Sequence, residues 1–215
     1  MDKNEIFAKE LGKAFFEIGI ELPESKVKEI AENNLKVADD FLLAQKYGRP
    51  AVRVIPKQLP SSFEEIVKIG KFNNGYYEHL KTNGNCRKAI LAPVDSTSEE
   101  ELVLYYEGKD QIIPGGKDIY AYFKSKGFEV IEKAHPSLLI NAMSELTEEK
   151  LTEMGIPSHV DIVLPTSEDS LLPSGCGSLC FLRAYRRGGS RGLSLSYFDS
   201  DWRGCYTFLL RKIKV

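Results

Sequence analysis

Histidine is scarce in this 215-residue chain, with three copies at His79, His135 and His159, and none stands in a nucleophile-elbow or metal-pair setting. Hydrolytic chemistry needs a nucleophile, a base and an orienting group within reach of one another. His135 precedes Pro136 at a helix start and His159 precedes a strand, so both read as capping or loop residues. Cysteine is also sparse. Cys86, Cys176, Cys180 and Cys205 follow no secreted-type spacing, and reduced thiols are the simplest reading. No apolar run approaches the roughly 20 residues that cross a bilayer. The opening MDKNEIFAKELG has neither a basic nor an apolar leader segment. These features lead to the expectation of a soluble protein, cytoplasmic by default.

The overall charge is nearly balanced, 29 Lys and Arg against 31 Asp and Glu, but its distribution is not. From Phe181 to Val215 eight basic residues face two acidic ones, so that segment is near +6 and the rest near -8. Such a split fits a basic tail seeking an anionic partner, or one packed on an acidic body.

Apolar spacing predicts two N-terminal amphipathic helices, one through Ile6, Leu11, Phe15, Phe16, Ile18 and Ile20. The other runs from Pro23 through Val27, Ile30, Leu35 and Phe41 to Gly48. A third helix runs from Phe63 towards Lys71, because Ser62 and Glu65 form a capping box, and Asn73-Asn74-Gly75 stops it. Strands are expected at Cys86 to Val94, Leu102 to Tyr106, Phe128 to Ile131 and Val160 to Leu164. Helices are expected at Lys117 to Ser125, Pro136 to Ser144 and Thr147 to Met154, with Thr147 as N-cap. After a Ser/Pro-rich loop at 165–175 come three strands, Leu179 to Arg186, Gly192 to Phe198 and Tyr206 to Ile213. The class is α+β.

Several constellations invite chemistry. Asp39-Asp40, Glu64-Glu65 and Glu148-Glu149 sit in solvated helix faces or first turns, where carboxylates complement the helix dipole. Cys176, Cys180 and Cys205 could supply thiolates to zinc, but no second short-spaced pair follows, and structural zinc sites close with four ligands. Pro114-Gly115-Gly116-Lys117 lacks the spacing of a phosphate loop and reads as a turn. The C-terminal segment interleaves Tyr185, Tyr197, Phe198, Trp202, Tyr206 and Phe208 with arginines. That composition serves nucleic acid, a protein-binding surface or a core with internally paired arginines.

The last 40 residues carry a resemblance. Phe181-Leu182-Arg183-Ala184-Tyr185-Arg186-Arg187-Gly188-Gly189-Ser190, then Asp201-Trp202-Arg203-Gly204, then Phe208-Leu209-Leu210-Arg211, resembles the C-terminus of the variable proteins of diversity-generating retroelements, of archaeal type. Ser190 is followed by Arg191 where those proteins usually have Trp. The resemblance implies a C-type lectin fold related to the formylglycine-generating-enzyme branch, here one domain over 1–215 with additional N-terminal helices over about 1–72. It implies a non-enzymatic protein with no cofactor and no obligatory calcium, since the calcium and sugar motifs of animal lectins are absent. The partner would be a protein or other macromolecular ligand rather than nucleic acid or membrane.

In that family adenine mutagenesis varies surface codons of the gene's end. The resemblance places the variable segment at about 174–206, with candidate ligand-binding positions Cys176, Ser178, Cys180, Phe181, Gly188, Gly189, Ser194, Ser196, Tyr197, Phe198, Cys205 and Tyr206. Ser194 and Ser196 alternate with Leu193 and Leu195, so one set should project outward, and Tyr197 and Phe198 should be exposed aromatics. Arg183, Tyr185, Gly192, Trp202 and Leu210 are expected to be scaffold. Nucleic-acid binding through the basic segment is the competing reading, and an enzyme of the formylglycine-generating branch the third.

Overall fold

The computed structural model describes residues 3–17, 22–73, 78–95, 98–132, 134–157, 159–187 and 189–213. Ile18, Ile20, Asn74, Gly75, Gly188 and Val215, named above, lie outside the described residues. The chain divides into two compact units, 1–48 and 49–215.

The first unit is a pair of helices, α1 (Lys3–Glu17) and α2 (Glu24–Tyr47). Pro23 precedes the first turn of α2, where a fixed φ is useful and a missing N–H costs nothing. Gly48 ends α2 at φ 63, a left-handed conformation that glycine adopts without a Cβ penalty. Ala8, Val27 and Ala31 are buried, while Lys13 with Glu10, Lys26 with Glu29 and Lys28 with Glu24 form exposed pairs along the polar faces.

The second unit is mixed α and β around one eight-stranded, mainly antiparallel sheet. Its strands are β1 (Ala51–Val54), β2 (Glu100–Tyr105), β4 (Phe128–Glu129), β5 (Asp161–Leu164), β6 (Leu172–Pro173), β7 (Leu179–Arg187), β8 (Ser190–Tyr197) and β10 (Tyr206–Lys212). The order is β1-β2-β10-β5-β7, with β6 and β8 both paired to β7 and β4 paired to β10. Only β10 and β5 run parallel among the paired strands. The final strand therefore sits in the middle of the sheet, its apolar run Phe208-Leu209-Leu210 buried on both sides. A second, two-stranded sheet joins β3 (Ile112–Ile113) to β9 (Trp202–Arg203).

Helices α3 (Phe63–Ile69), α4 (Glu78–Thr82), α5 (Gly84–Ile90), α6 (Asp118–Ser125), α7 (Ser137–Glu145) and α8 (Glu148–Glu153) complete the unit. Ser62 and Thr147 cap α3 and α8 by accepting Glu65 N–H and Lys150 N–H, as their spacing predicts. The expected strand from Cys86 is instead α5. Asn83 accepts the N–H groups of Asn85 and Cys86, which starts a helix that buries Cys86 and Ile90 four residues apart on one face.

Side chains alternate between the two sheet faces. One face carries Leu102, Leu104, Ile162, Leu164, Leu182, Ala184, Leu193 and Leu209, which join Leu139, Met143 and Ile90 in the main core. The other face carries a chain of rings. Tyr105 meets Phe123, Phe123 meets Phe208, Phe208 meets Trp202, Trp202 meets Phe181, Phe181 meets Phe198 and Phe198 meets Tyr120, at centroid distances of 5.1 to 5.8 Å. Edge and tilted contacts of this kind add to the area each ring buries. Gly115 permits the closure of this layer, because a Cβ there would stand 2.4 Å from the Ser200 carbonyl oxygen. The glycine pair at 115–116 thus serves loop packing: Gly116 N–H donates to Phe198 O and Gly115 N–H to Asp201 Oδ1.

Candidate functional site

Beyond the ring chain, the same sheet face turns polar. Cross-strand pairing sets Arg183 of β7 beside Ser194 of β8 and Val163 of β5, with Tyr206 of β10 beside Asp161 of β5. Arg183 Nη1 stands 3.3 Å from Asp161 Oδ2 and 3.5 Å from the Tyr206 hydroxyl, and Nη2 stands 3.5 Å from Ser194 Oγ. Asp161 is wholly buried, and its other oxygen accepts the Arg186 backbone N–H at 2.9 Å. The guanidinium also lies 5.9 Å from the Tyr185 ring. Tyr185, Ser196, Cys205 and Tyr206 are half-buried here, and burial raises the Tyr206 hydroxyl above its ordinary pKa of 10.

The opposite face of β7 and β8 opens at its far end into a cleft of about 690 Å³, lined by Thr82, Asn83, Asn85, Ser174, Cys176, Cys180, Leu195 and Tyr197. Cys176 is exposed at the tip of the turn joining β6 to β7. Its sulfur lies 3.1 Å from Ser174 Oγ and 3.6 Å from Ser178 Oγ, and Tyr197 supplies a third hydroxyl. These hydroxyls, Ser174 foremost, lower the Cys176 thiol to about 6. Cys180 is buried, and burial pushes its thiol up to about 11.

The twelve candidate positions therefore part between two faces. Ser194, Ser196 and Tyr206 share the face of Arg183, with Cys205 next to Tyr206 in the turn before β10, while Cys176, Ser178, Cys180 and Tyr197 gather at the cleft. Gly189 is exposed at the β7–β8 turn, and Gly188 lies outside the described residues. Phe181 and Phe198 are corrections: both are buried in the ring chain, because α6 and the β3–β9 pair cover that part of the sheet. Ser194 projects away from Leu193 as alternation predicts, yet it is only 9% exposed beneath Arg183. Trp202 and Leu210 are core, as expected. Asp161, Asn83 and Ser174 escaped the sequence reading, since a carboxylate opening an apolar strand and two isolated polar residues carry no motif.

Four arginines of the basic segment are engaged within the protein, while Arg203 and Lys212 are exposed. Arg211 forks onto Glu100, with Nε at 3.0 Å, and Arg183 pairs with Asp161. Arg191 donates from Nη2 to Met143 O at 2.6 Å and Leu146 O at 3.4 Å, placing a cation at the carbonyl end of α7. Arg186 is fully buried with Glu148 Oε1 4.0 Å from Nη2, and burial lowers both Arg186 and Arg191 from their ordinary pKa. The charge imbalance read from the sequence thus corresponds to internal pairing for four of the arginines.

His135 has the capping role its position predicts. Its Nδ1 accepts the Ser137 N–H, so Nε2 carries the proton that reaches Ala92 O at 2.9 Å. His159 is exposed in the turn before β5, and the His79 backbone lies in α4. Among the described residues no group of three or more His, Cys, Asp or Glu side chains could hold a metal ion, and no helix is long and apolar enough to cross a membrane. No family of known proteins, no curated protein and no solved structure matches the chain.

Proposed function

We propose that the protein is a non-enzymatic ligand-binding module whose recognition surface is the half-open sheet face around Arg183. Its scaffold is of the C-type lectin kind, and its exposed C-terminal positions vary from copy to copy. The observation that carries this reading is convergence. Ser194, Ser196 and Tyr206, selected from the sequence as positions without an evident structural duty, come from separate strands to one patch, with Cys205 beside Tyr206 in the chain. There, together with Tyr185, they surround Arg183.

The chemistry of the patch suits recognition of a macromolecular surface. Tyr185 and Tyr206 offer contact area at small rotamer cost, the half-buried Ser196 offers an adaptable hydrogen bond, and Arg183 is already held by a buried carboxylate. Strands fix all of these more tightly than loops would. Neither a metal nor a cofactor enters the reading.

Deep sequencing of the last quarter of the gene and its flanking DNA, across the source population, tests it. The expected result is variation concentrated at Ser194, Ser196, Cys205 and Tyr206, with a nearby near-copy bearing adenines at those codons. Phe181 and Phe198 should be constant. A uniform segment with no such copy overturns the diversification.

A further inference from the structure

The thiol cleft carries chemistry that the Arg183 face does not need. Three of the four cysteines meet at the β6–β7 turn. Cys86 of α5 is buried and donates its thiol to Pro173 O at 3.1 Å. Cys180 is 1% exposed at the start of β7, with its sulfur 3.7 Å from Ser178 O. Cys176 is exposed four residues earlier, between Gly175 and Gly177, and the Ser174 hydroxyl hydrogen-bonds both Cys176 and Cys180. Both of these sulfurs line the same cleft.

The two environments push the thiols apart. Hydroxyl donors around Cys176 favour its thiolate, while the apolar floor formed with Leu172 and Leu195 keeps Cys180 protonated. Exchange with a disulfide needs an accessible thiolate to attack first and a second thiol, close and shielded, to complete the reaction.

We propose that Cys176 and Cys180 form a dithiol exchange site for small, polar, peptide-like disulfides. Thr82 and Asn85 on the far wall supply hydroxyl and amide groups for a peptide-like substrate, behind an Asn83 side chain already committed to α5 and Pro173 O. In the first step the Cys176 thiolate attacks one sulfur of the substrate RSSR. Its S–S bond breaks, one RS⁻ leaves and takes a proton from water, and a mixed disulfide remains on Cys176. In the second step Cys180 gives its proton to solvent and attacks the Cys176 sulfur, expelling the second RS⁻. The dithiol loses two hydrogens in all, and one RSSR becomes two RSH. The glycines on either side of Cys176 leave the turn free to bring the sulfurs together. This site stands independently of the ligand-binding reading, which concerns the other face of β7 and β8.

Oxidised glutathione is the probe. The full chain is incubated with it, quenched by acid, alkylated, digested and weighed by mass spectrometry. The wild type should yield a Cys176–Cys180 linked peptide, and Cys180→Ser should accumulate a glutathione adduct on Cys176. Cys176→Ser should leave Cys180 unmodified. Iodoacetamide should label Cys176 of the folded wild type about threefold faster at pH 7 than the same thiol in the urea-unfolded chain. Thermal unfolding checks that each variant is folded, and the two wild-type readings need no variant. No adduct in Cys180→Ser, an adduct in the wild type that never resolves to the internal disulfide, or no acceleration of labelling each overturns the proposal.

Discussion

Arg183 on β7 reaches the carboxylate of Asp161 on β5, Nη1 to Oδ2 3.3 Å, with the carboxylate wholly buried and the arginine side chain 18% exposed. A buried ion pair contributes little net stability against apolar replacements, but removing one member is costly because the other loses its partner in low dielectric. Arg183→Met should therefore destabilise the protein by about 3 kcal/mol, at the low end for such pairs because solvent reaches the arginine. Arg183→Met combined with Asp161→Asn should recover part of that loss. Urea unfolding of the two single variants and the double variant gives the coupling, and strictly additive losses would mean that the pair does not interact.

Positions within the proposed variable segment should differ sharply in tolerance. Phe181 is fully buried and touches both Phe198 and Trp202, so Phe181→Ala should cost about 3–5 kcal/mol. Ser196 is half-buried at the edge strand and Tyr197 is 53% exposed, so Ser196→Asn and Tyr197→Ser should shift stability by about 0.5 kcal/mol or less. Thermal unfolding of the three variants decides the matter. Equal losses at all three would place the whole segment in the core.

The same contrast marks what the sequence could tell. Hydroxyl caps at Ser62 and Thr147 are local chemistry, and both helices begin where those residues say. β7, β8 and β10 are visible because leucines and aromatic residues recur in each between turn signals. Alternation gave the correct face for Leu193 and Ser194, but not their exposure, because exposure depends on what packs above the sheet. α6 and the β3–β9 pair come from elsewhere in the chain, and they hide Phe181 and Phe198 while leaving Ser196 half-open. Residues 86–94 misled for a related reason: Ile90, Leu91 and Val94 suit a strand, and the single residue that decides for a helix, Asn83, lies upstream of the apolar run. The Arg183–Asp161 pair joins β7 to a strand more than twenty residues away, and nothing local announces it.

Acid should weaken the fold through His135. Burial lowers its pKa from 6.5, so the folded state favours the neutral ring that caps α7 and reaches Ala92 O, against a partial opposing effect of that bond and of Asp95. The unfolded chain then binds more protons between the lowered value and 6.5. Stability from this residue is complete above pH 6.5 and is lost as pH falls through the folded-state value. Glu149, lowered mainly by backbone donors at the start of α8, acts in a separate window below its ordinary 4.5. His135→Gln should remove the pH dependence that begins as pH falls below 6.5 while leaving the more acidic transition in place. Urea midpoints measured at half-unit pH intervals would show it, and an unchanged slope in the variant would assign the effect elsewhere.

Asn83 joins the helical layer to the wall of the thiol cleft, and its loss should be felt in both. Its Oδ1 accepts the Asn85 and Cys86 N–H groups at 3.1 and 3.2 Å, while its Nδ2 donates to Pro173 O at 3.1 Å, the same carbonyl that receives the Cys86 thiol. Removing an N-cap costs about 1 kcal/mol, and Pro173 O keeps only the weaker thiol donor. Asn83→Ala should thus destabilise by about 1–2 kcal/mol, whereas Asn83→Asp, which keeps the cap but not the donor, should recover about half. Because β6 pairs with β7 through Leu172 and Cys180, loosening Pro173 should also raise amide hydrogen exchange at Leu172 and Cys180. An Asn83→Ala protein with lower stability but unchanged exchange at those amides would confine the role of Asn83 to the start of α5.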